Sequence, residues 1–335
     1  PFLGTLGFLF WDDHWKGSAF ALNAYKCSVA SFGFVVVVVI SRFGFGIGDS
    51  LGLEESVVVI SMLVLSSILG IIVGDLAWLE AMQRLGARRV IVIDSVKPFL
   101  AAFLGWLFFG ENLRPVAFGG LALTSIGITL VSMLEEEEES TTADHEIETK
   151  IESTADEEIE TKIERTAADQ IPPQKGDSNN TTRIGFVMAL FNVIFDTIGN
   201  VITKAYGRNL TTWEINLVRF GFAAIVLLCV SIVCRLRNAE AKWCRLPVLP
   251  QQSMLLITLG VGFVTFLGPA LYTYGLFQVA LALAITLNSV GPLYALPLSL
   301  VMKNDRPAPK IKEWLGAVFA VTGIVVLTIW GRTTE

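Results

Sequence analysis

The sequence predicts an all-α polytopic membrane protein: ten transmembrane helices, the first truncated, in two inverted five-helix repeats. Three observations carry this. Apolar segments of around 20 residues recur along the chain, each long enough to span about 30 Å of hydrocarbon. The chain is 53% hydrophobic and 17% charged, with a mean hydropathy of +0.60; a soluble domain has about a quarter of its residues charged. The same order of apolar segments and landmark residues occurs twice.

The chain starts at Pro1 without a Met and is expected to be a fragment or a processed form. Residues 1–10 are apolar but too short to cross, and Trp11 to Lys16 reads as a charged turn with interfacial tryptophans. Spans follow at 17–41, 56–81, 86–109 and 115–134, with a loop over 42–55. A linker precedes spans at 184–207, 212–235, 252–277, 281–302 and 312–331. The expected units are therefore residues 1–134, a first repeat with its first helix incomplete; 135–183, an acidic disordered linker; and 184–335, the second repeat.

The linker is low-complexity. Residues 135–170 hold fifteen Asp or Glu against Lys150, Lys162 and Arg165, a net charge of −12, so the remainder of the chain is +6. Glu146-Ile-Glu-Thr-Lys-Ile-Glu returns at Glu158, a tandem period of 12. Too few apolar residues are present to pack a core, and a disordered tether is the reading. The charge pattern excludes a nucleic-acid binder, which needs a basic patch on a soluble surface.

The repeat is the most informative feature. A shift of 194 places Gly74 on Gly268, Trp78 on Tyr272, Pro98 on Pro292 and Glu111 on Asp305. A shift of 193 places Asn23 on Asn216 and Lys26 on Arg219, and one of 196 places Gly127 on Gly323. Five helices are an odd number, so the second copy enters the membrane from the opposite side. Inverted repeats of this kind recur in secondary transporters, with the site near the midplane between the copies.

Candidate site residues follow from the cost of polar groups in lipid. Residues 184–207 carry Asn192, Asp196, Asn200 and Lys204 four apart, and each such step turns a helix only about 40° beyond a full turn. They form one drifting stripe. A charge at membrane depth costs roughly 2.5–3.5 kcal/mol, so such groups face protein or a water-filled path. A structural seam between helices is the alternative, and Lys204, near the helix end, has the option of snorkelling. Asn23 with Lys26, and Asn216 with Arg219, put an amide and a cation on one face, as interfacial anchors or as ligand gates. Asp94 and Lys97 stand one turn apart before Pro98, which removes a backbone donor; they form a self-satisfied pair or an anionic-ligand site. The matching region of the second copy, including Asn288, keeps the helix break and loses the charges. Trp78 and Tyr272 are belt residues or line a cavity. Gly119, Gly120, Gly127, Gly316 and Gly323 read as helix-packing positions.

The four cysteines, Cys27, Cys229, Cys234 and Cys244, have no metal-ligand spacing or disulfide framework, and His14 and His145 do not cluster. No phosphate loop, Ser/His/Asp set or metal motif is present, so no enzyme, cofactor or metal is expected.

With these residues in hand, the chain resembles the drug/metabolite transporter superfamily, in its ten-helix EamA-like branch. The resemblance rests on Val96-Lys-Pro-Phe-Leu-Ala-Ala-Phe-Leu-Gly-Trp-Leu-Phe-Phe-Gly-Glu111, on the Gly119-Gly120 to Gly127 helix, and on the degenerate second copy from Gly291-Pro292 to Gly316 and Gly323. It implies two inverted five-helix repeats, a central cavity and alternating access. The departures are Asn304-Asp305 in place of Gly110-Glu111, and the long acidic insert.

The expectation is an integral multi-pass secondary transporter of a small polar metabolite, with a proton or counter-substrate as coupling partner and a homodimer left open. Asp196 is the titratable or coupling group; Asn192, Asn200 and Lys204 line the path, and Lys97 is a counter-charge. A non-transporting receptor or scaffold that docks through the linker, and a passive channel, are the alternatives. Basic loops around Arg84, Arg88, Arg89, Arg235, Arg237, Lys242 and Arg245 share one side, which the positive-inside rule makes cytosolic. The resemblance, with both termini cytosolic, implies the reverse.

Overall fold

Mostly apolar sequence in lipid has to satisfy its backbone within each segment, and helices do so. The regular elements among the described residues are all helices. The computed structural model describes residues 2–3, 6–7, 14–45, 57–131, 178–237, 242–247, 249–291, 293–294 and 311–330. The acidic linker up to residue 177, the rest of the 281–302 span beyond 294, Pro292 and Asn304-Asp305 lie outside them, as does most of the partial first span.

Helix α1 covers Ala19–Phe45. Ser18 caps it, its hydroxyl accepting from the Ala21 N–H at 3.0 Å. Helix α2 runs Val57–Leu85 with a π-helical middle, Ser67–Gly74. Helix α3 is in two pieces, Ala87–Asp94 and Lys97–Phe109, and α4 is Pro115–Val131. Helix α5 covers Ser178–Tyr206, α6 Thr212–Arg237, and α7 Gln251–Gln278 with a π-helical middle, Gly262–Leu267. Helix α8 is Leu281–Ser289 and α9 is Ile311–Trp330.

Six of these are long and apolar enough to cross a membrane: Ala19–Ser41, Val57–Leu85, Arg89–Phe109, Thr181–Tyr206, Thr212–Arg237 and Gln251–Gln278. Large apolar side chains point outward from them, Phe32, Ile225, Leu255 and Leu271 among them. Such a surface suits lipid, because soluble proteins rarely expose wide apolar patches. Hydroxyls along the spans are satisfied one turn back: Ser28 on the Ala24 carbonyl at 2.7 Å, Thr286 on that of Ala282 at 2.6 Å. The chain is an integral multi-pass membrane protein.

One detail differs from the sequence expectation and two others fill it in. Helix α5 starts at Ser178, six residues inside the expected linker, since Ser178 to Thr182 are polar without being helix breakers. The 86–109 span breaks at Ser95–Val96, where Pro98 cannot donate one turn back. The start of α6 is a capping box: the Glu214 N–H donates to the Thr211 hydroxyl at 3.3 Å, and the Thr211 N–H donates to the Glu214 carboxylate at 2.9 Å.

The two π-helical stretches occupy one repeat register: residues 68–73 shifted by 194 fall on 262–267. Gly74 closes the first stretch and Gly268 directly follows the second. Pro269 is tolerated here, where the tighter helix resumes and its missing N–H falls at the junction.

Helix α1 packs on α6, and α2 on α5. One core joins α1, α2, α6 and α7 around Phe34, Phe220 and Ala270. A second joins α3, α4, α8 and α9 around Ala101, Leu121, Ile285 and Leu327. Helices α4 and α9 meet backbone to backbone, because a Cβ at Gly127 would stand 2.5 Å from the Gly316 carbonyl oxygen. Gly127→Leu is therefore expected to pry them apart and cost about 1–3 kcal/mol, read as a lower melting midpoint in detergent. Gly119→Leu, on the same helix with nothing within 4 Å of its Cβ position, is expected to melt like the parent.

Candidate functional site

Helix α5 lies against α2 and both pieces of α3. Its stripe meets a different neighbour at each step. Asn192 donates its amide to the Gly74 carbonyl of α2 at 2.9 Å. One turn on, Asp196 stands 3.3 Å from the Lys97 ammonium of α3 and accepts from the Asn200 amide at 3.2 Å. Lys97 is also 3.3 Å from Asp94, to which the Trp78 indole N–H donates at 3.0 Å. The break before Lys97 is what turns this cation toward α5.

The π-helical stretch of α2 shapes the other wall. Returning from five-residue to four-residue bonding leaves a carbonyl without its usual backbone donor. Asn23 of α1 donates to one such carbonyl, that of Ile71, at 3.1 Å. Gly70 and Gly199 bring α2 and α5 into close approach, with a Cβ at Gly199 standing 3.1 Å from the Gly70 Cα. Ser66 closes that contact by donating to the Gly199 carbonyl at 2.8 Å.

Lys26 pairs with Asp75 at 2.6 Å. In the second half, Asn216 donates to the Thr212 carbonyl at 2.9 Å and to the Thr273 hydroxyl at 3.1 Å. Arg219 is 6% exposed, and its Nε has no hydrogen-bond partner. It interacts electrostatically with Asp196, Tyr272 and Asp75. Asn23, Lys26, Asn216 and Arg219 are thus interior residues and not headgroup anchors.

Lys26, Lys97 and Arg219 face Asp75, Asp94 and Asp196, and the cluster is formally neutral. It draws on α1, α2, α3, α5 and α6, with Tyr272 of α7. Four polar atoms in it are buried without a hydrogen-bond partner: Asp94 Oδ1, which has only the Lys97 ammonium at 3.3 Å, Asn192 Oδ1, Arg219 Nε and Tyr272 Oη. Buried polar groups are normally satisfied. The cluster thus holds both an unsatisfied donor and unsatisfied acceptors.

Two candidates stand elsewhere. Lys204 is 2.6 Å from Glu111, just past α3, and donates to the Val279 carbonyl at 2.7 Å. Asn288 is exposed on α8. Asp75 and Glu111 are the partners that side-chain spacing did not reveal; for Glu111 the Gly110-Glu111 turn was the available signal. Gly110 is left-handed (φ 65°), which lets the chain double back so that Glu111 reaches inward. A separate apolar cavity of about 540 Å³, lined by residues such as Val35, Ile60 and Leu217, includes none of the cluster.

The sequence profile described as the EamA-like transporter family matches residues 14–133 and 183–329. A curated relative, an S-adenosylmethionine uptake transporter of Rickettsia prowazekii (strain Madrid E), is 26% identical over 151 residues, 45% of this chain and 47% of that protein. The chain thus matches about half the length of that relative. A solved structure, described only as the crystal structure of a protein, superposes with a TM-score of 0.63 at 14% identity, over 98% of this chain and 97% of that one. It shows the fold alone.

Proposed function

The chain belongs to the EamA-like transporter family, and on that premise we propose that it is a secondary transporter, not an enzyme, moving a small polar metabolite by alternating access. The two repeats, residues 1–134 and 184–335, rock in opposite senses about the cluster. The observation that supports this is the neutral set of six charges held on five helices, with unsatisfied polar atoms among them. Charge inside a bilayer normally marks a substrate or ion path. Asp196 is the coupling group, for a proton or a counter-substrate. Its side chain is 30% exposed, the most open of the three carboxylates. Lys97 is its counter-charge.

The test is uptake into proteoliposomes with a panel of radiolabelled polar metabolites. S-adenosylmethionine heads the panel, because a relative is named for its uptake. Saturable uptake, accelerated by the same compound inside the vesicle, is the expected result. Uptake that rises linearly with concentration, without such acceleration, would mark a pore and overturn alternating access.

A further inference from the structure

We propose that the apolar cavity between α1, α2 and α6 is a binding site for one acyl chain of a membrane phospholipid. It is separate from the charged cluster, and its occupancy does not depend on the transport reading. Along α6 its lining runs from Glu214 through Leu217 and Gly221 to Leu228. Steps of three and four residues keep these on one helix face. Helix α1, packed on α6, contributes Ser28, Ser31 and Val35. The serines do not make the wall polar. Ser28 donates to the Ala24 carbonyl and Ser31 to that of Cys27, each at 2.7 Å. Both hydroxyl protons are used within their own helix, so a polar solute would lose water contacts there without replacement.

The occupant follows from where the cavity opens. Val35, Ile225 and Leu228 line it and are exposed, so it is continuous with the apolar surface that faces lipid. The neighbouring phase is therefore hydrocarbon. Its length suits one lipid tail: from Glu214 to Leu228 α6 rises about 21 Å, and the hydrocarbon of one leaflet is about 15 Å deep. Its polarity suits one as well. The Glu214 end is the start of α6, closed by the capping box with Thr211, whereas Leu228 lies deep in the helix. Gly221 keeps the room. Glycine is the poorest helix former after proline. A Cβ at Gly221 would meet only Leu217 Cδ1, at 3.9 Å. No neighbouring backbone demands glycine there, in contrast to Gly127; its missing side chain preserves the cavity. The Glu214 carboxylate repels that of a free fatty acid and suits the ammonium of phosphatidylethanolamine.

The experiment uses the full chain, washed in detergent to strip loosely held lipid and weighed intact by native mass spectrometry. Wild type is expected to retain one phosphatidylethanolamine per chain. Gly221→Phe fills the groove and is expected to cut the lipid-bound fraction about tenfold. Gly119→Leu, which adds bulk on α4 away from the cavity, is expected to retain the lipid. Phosphatidylethanolamine returned to fully delipidated wild type is expected to bind saturably and raise the melting midpoint. The midpoint of Gly221→Phe is expected not to respond. Absence of saturable binding by wild type overturns the proposal without reference to any variant. Equal retention by Gly221→Phe overturns it too. So does a wild-type dimer that Gly221→Phe splits, which would put a second copy in the groove. Oleate held in preference to the phospholipid would overturn the choice of occupant.

Discussion

Asp196→Asn is expected to abolish transport while leaving the chain folded in the membrane. Asparagine keeps the shape of the side chain and its contact with Asn200, 3.2 Å away, but removes the charge. Lys97 retains Asp94 at 3.3 Å, so no buried cation is stranded. Arg219 loses one of the two carboxylates that act on it, and the cluster acquires a net positive charge. A loss of flux of about a hundredfold corresponds to roughly 2.7 kcal/mol at 1.4 kcal/mol per tenfold. Lys97→Ala is expected to abolish flux too, but at a price in stability, because Asp94 and Asp196 then face each other without their shared cation. Flux per reconstituted protein, read beside the melting midpoint, distinguishes the two variants. Wild-type flux in Asp196→Asn would remove Asp196 from the mechanism.

The second large effect is structural. Glu111→Ala is expected to destabilise the fold by about 3–5 kcal/mol, the cost of leaving one charge of a buried pair alone. The Lys204 side chain is only 7% exposed, and Glu111 is its ion-pair partner at 2.6 Å. The other carboxylate oxygen of Glu111 accepts the Leu281 N–H, the first of α8, at 2.7 Å. One carboxylate thus ties the end of α3 to the end of α5 and the start of α8. Glu111→Gln preserves an acceptor for Leu281 and is expected to lose less. Adding Lys204→Met to Glu111→Gln is expected to recover part of the loss, since no charge is then stranded. Melting midpoints of the three variants check this order; a Glu111→Ala protein that melts like wild type would refute it.

The course of α5 shows why part of the site was legible. Polar residues four apart on an apolar helix reveal themselves without any partner in view. Their drift, about 40° per step, was legible as well, but its consequence was not. From Asn192 to Lys204 it accumulates to about 120°. Asn192 therefore reaches α2, Asp196 reaches α3, and Lys204 reaches Glu111 and the Val279 carbonyl before α8. A stripe that looks continuous in sequence serves two places. The break at Lys97-Pro98 was legible because proline removes a donor. The Lys26 to Asp75 and Lys204 to Glu111 pairs were not, since they join residues 49 and 93 apart. No local period encodes such a distance.

The π-helical stretches matter also as a setting of phase. Each residue turns a helix about 100°, so one residue taken into a widened turn sets back everything beyond it. Asp75 and Trp78 follow the stretch in α2, as Tyr272 follows the one in α7. Their bearings toward Lys26, Asp94 and Arg219 depend on how many residues the preceding turn holds. One residue fewer would leave a span as long, as apolar and as helical as before, yet aimed elsewhere. The length of chain between Ser66 and Asp75 is in that sense a component of the site that no side chain carries.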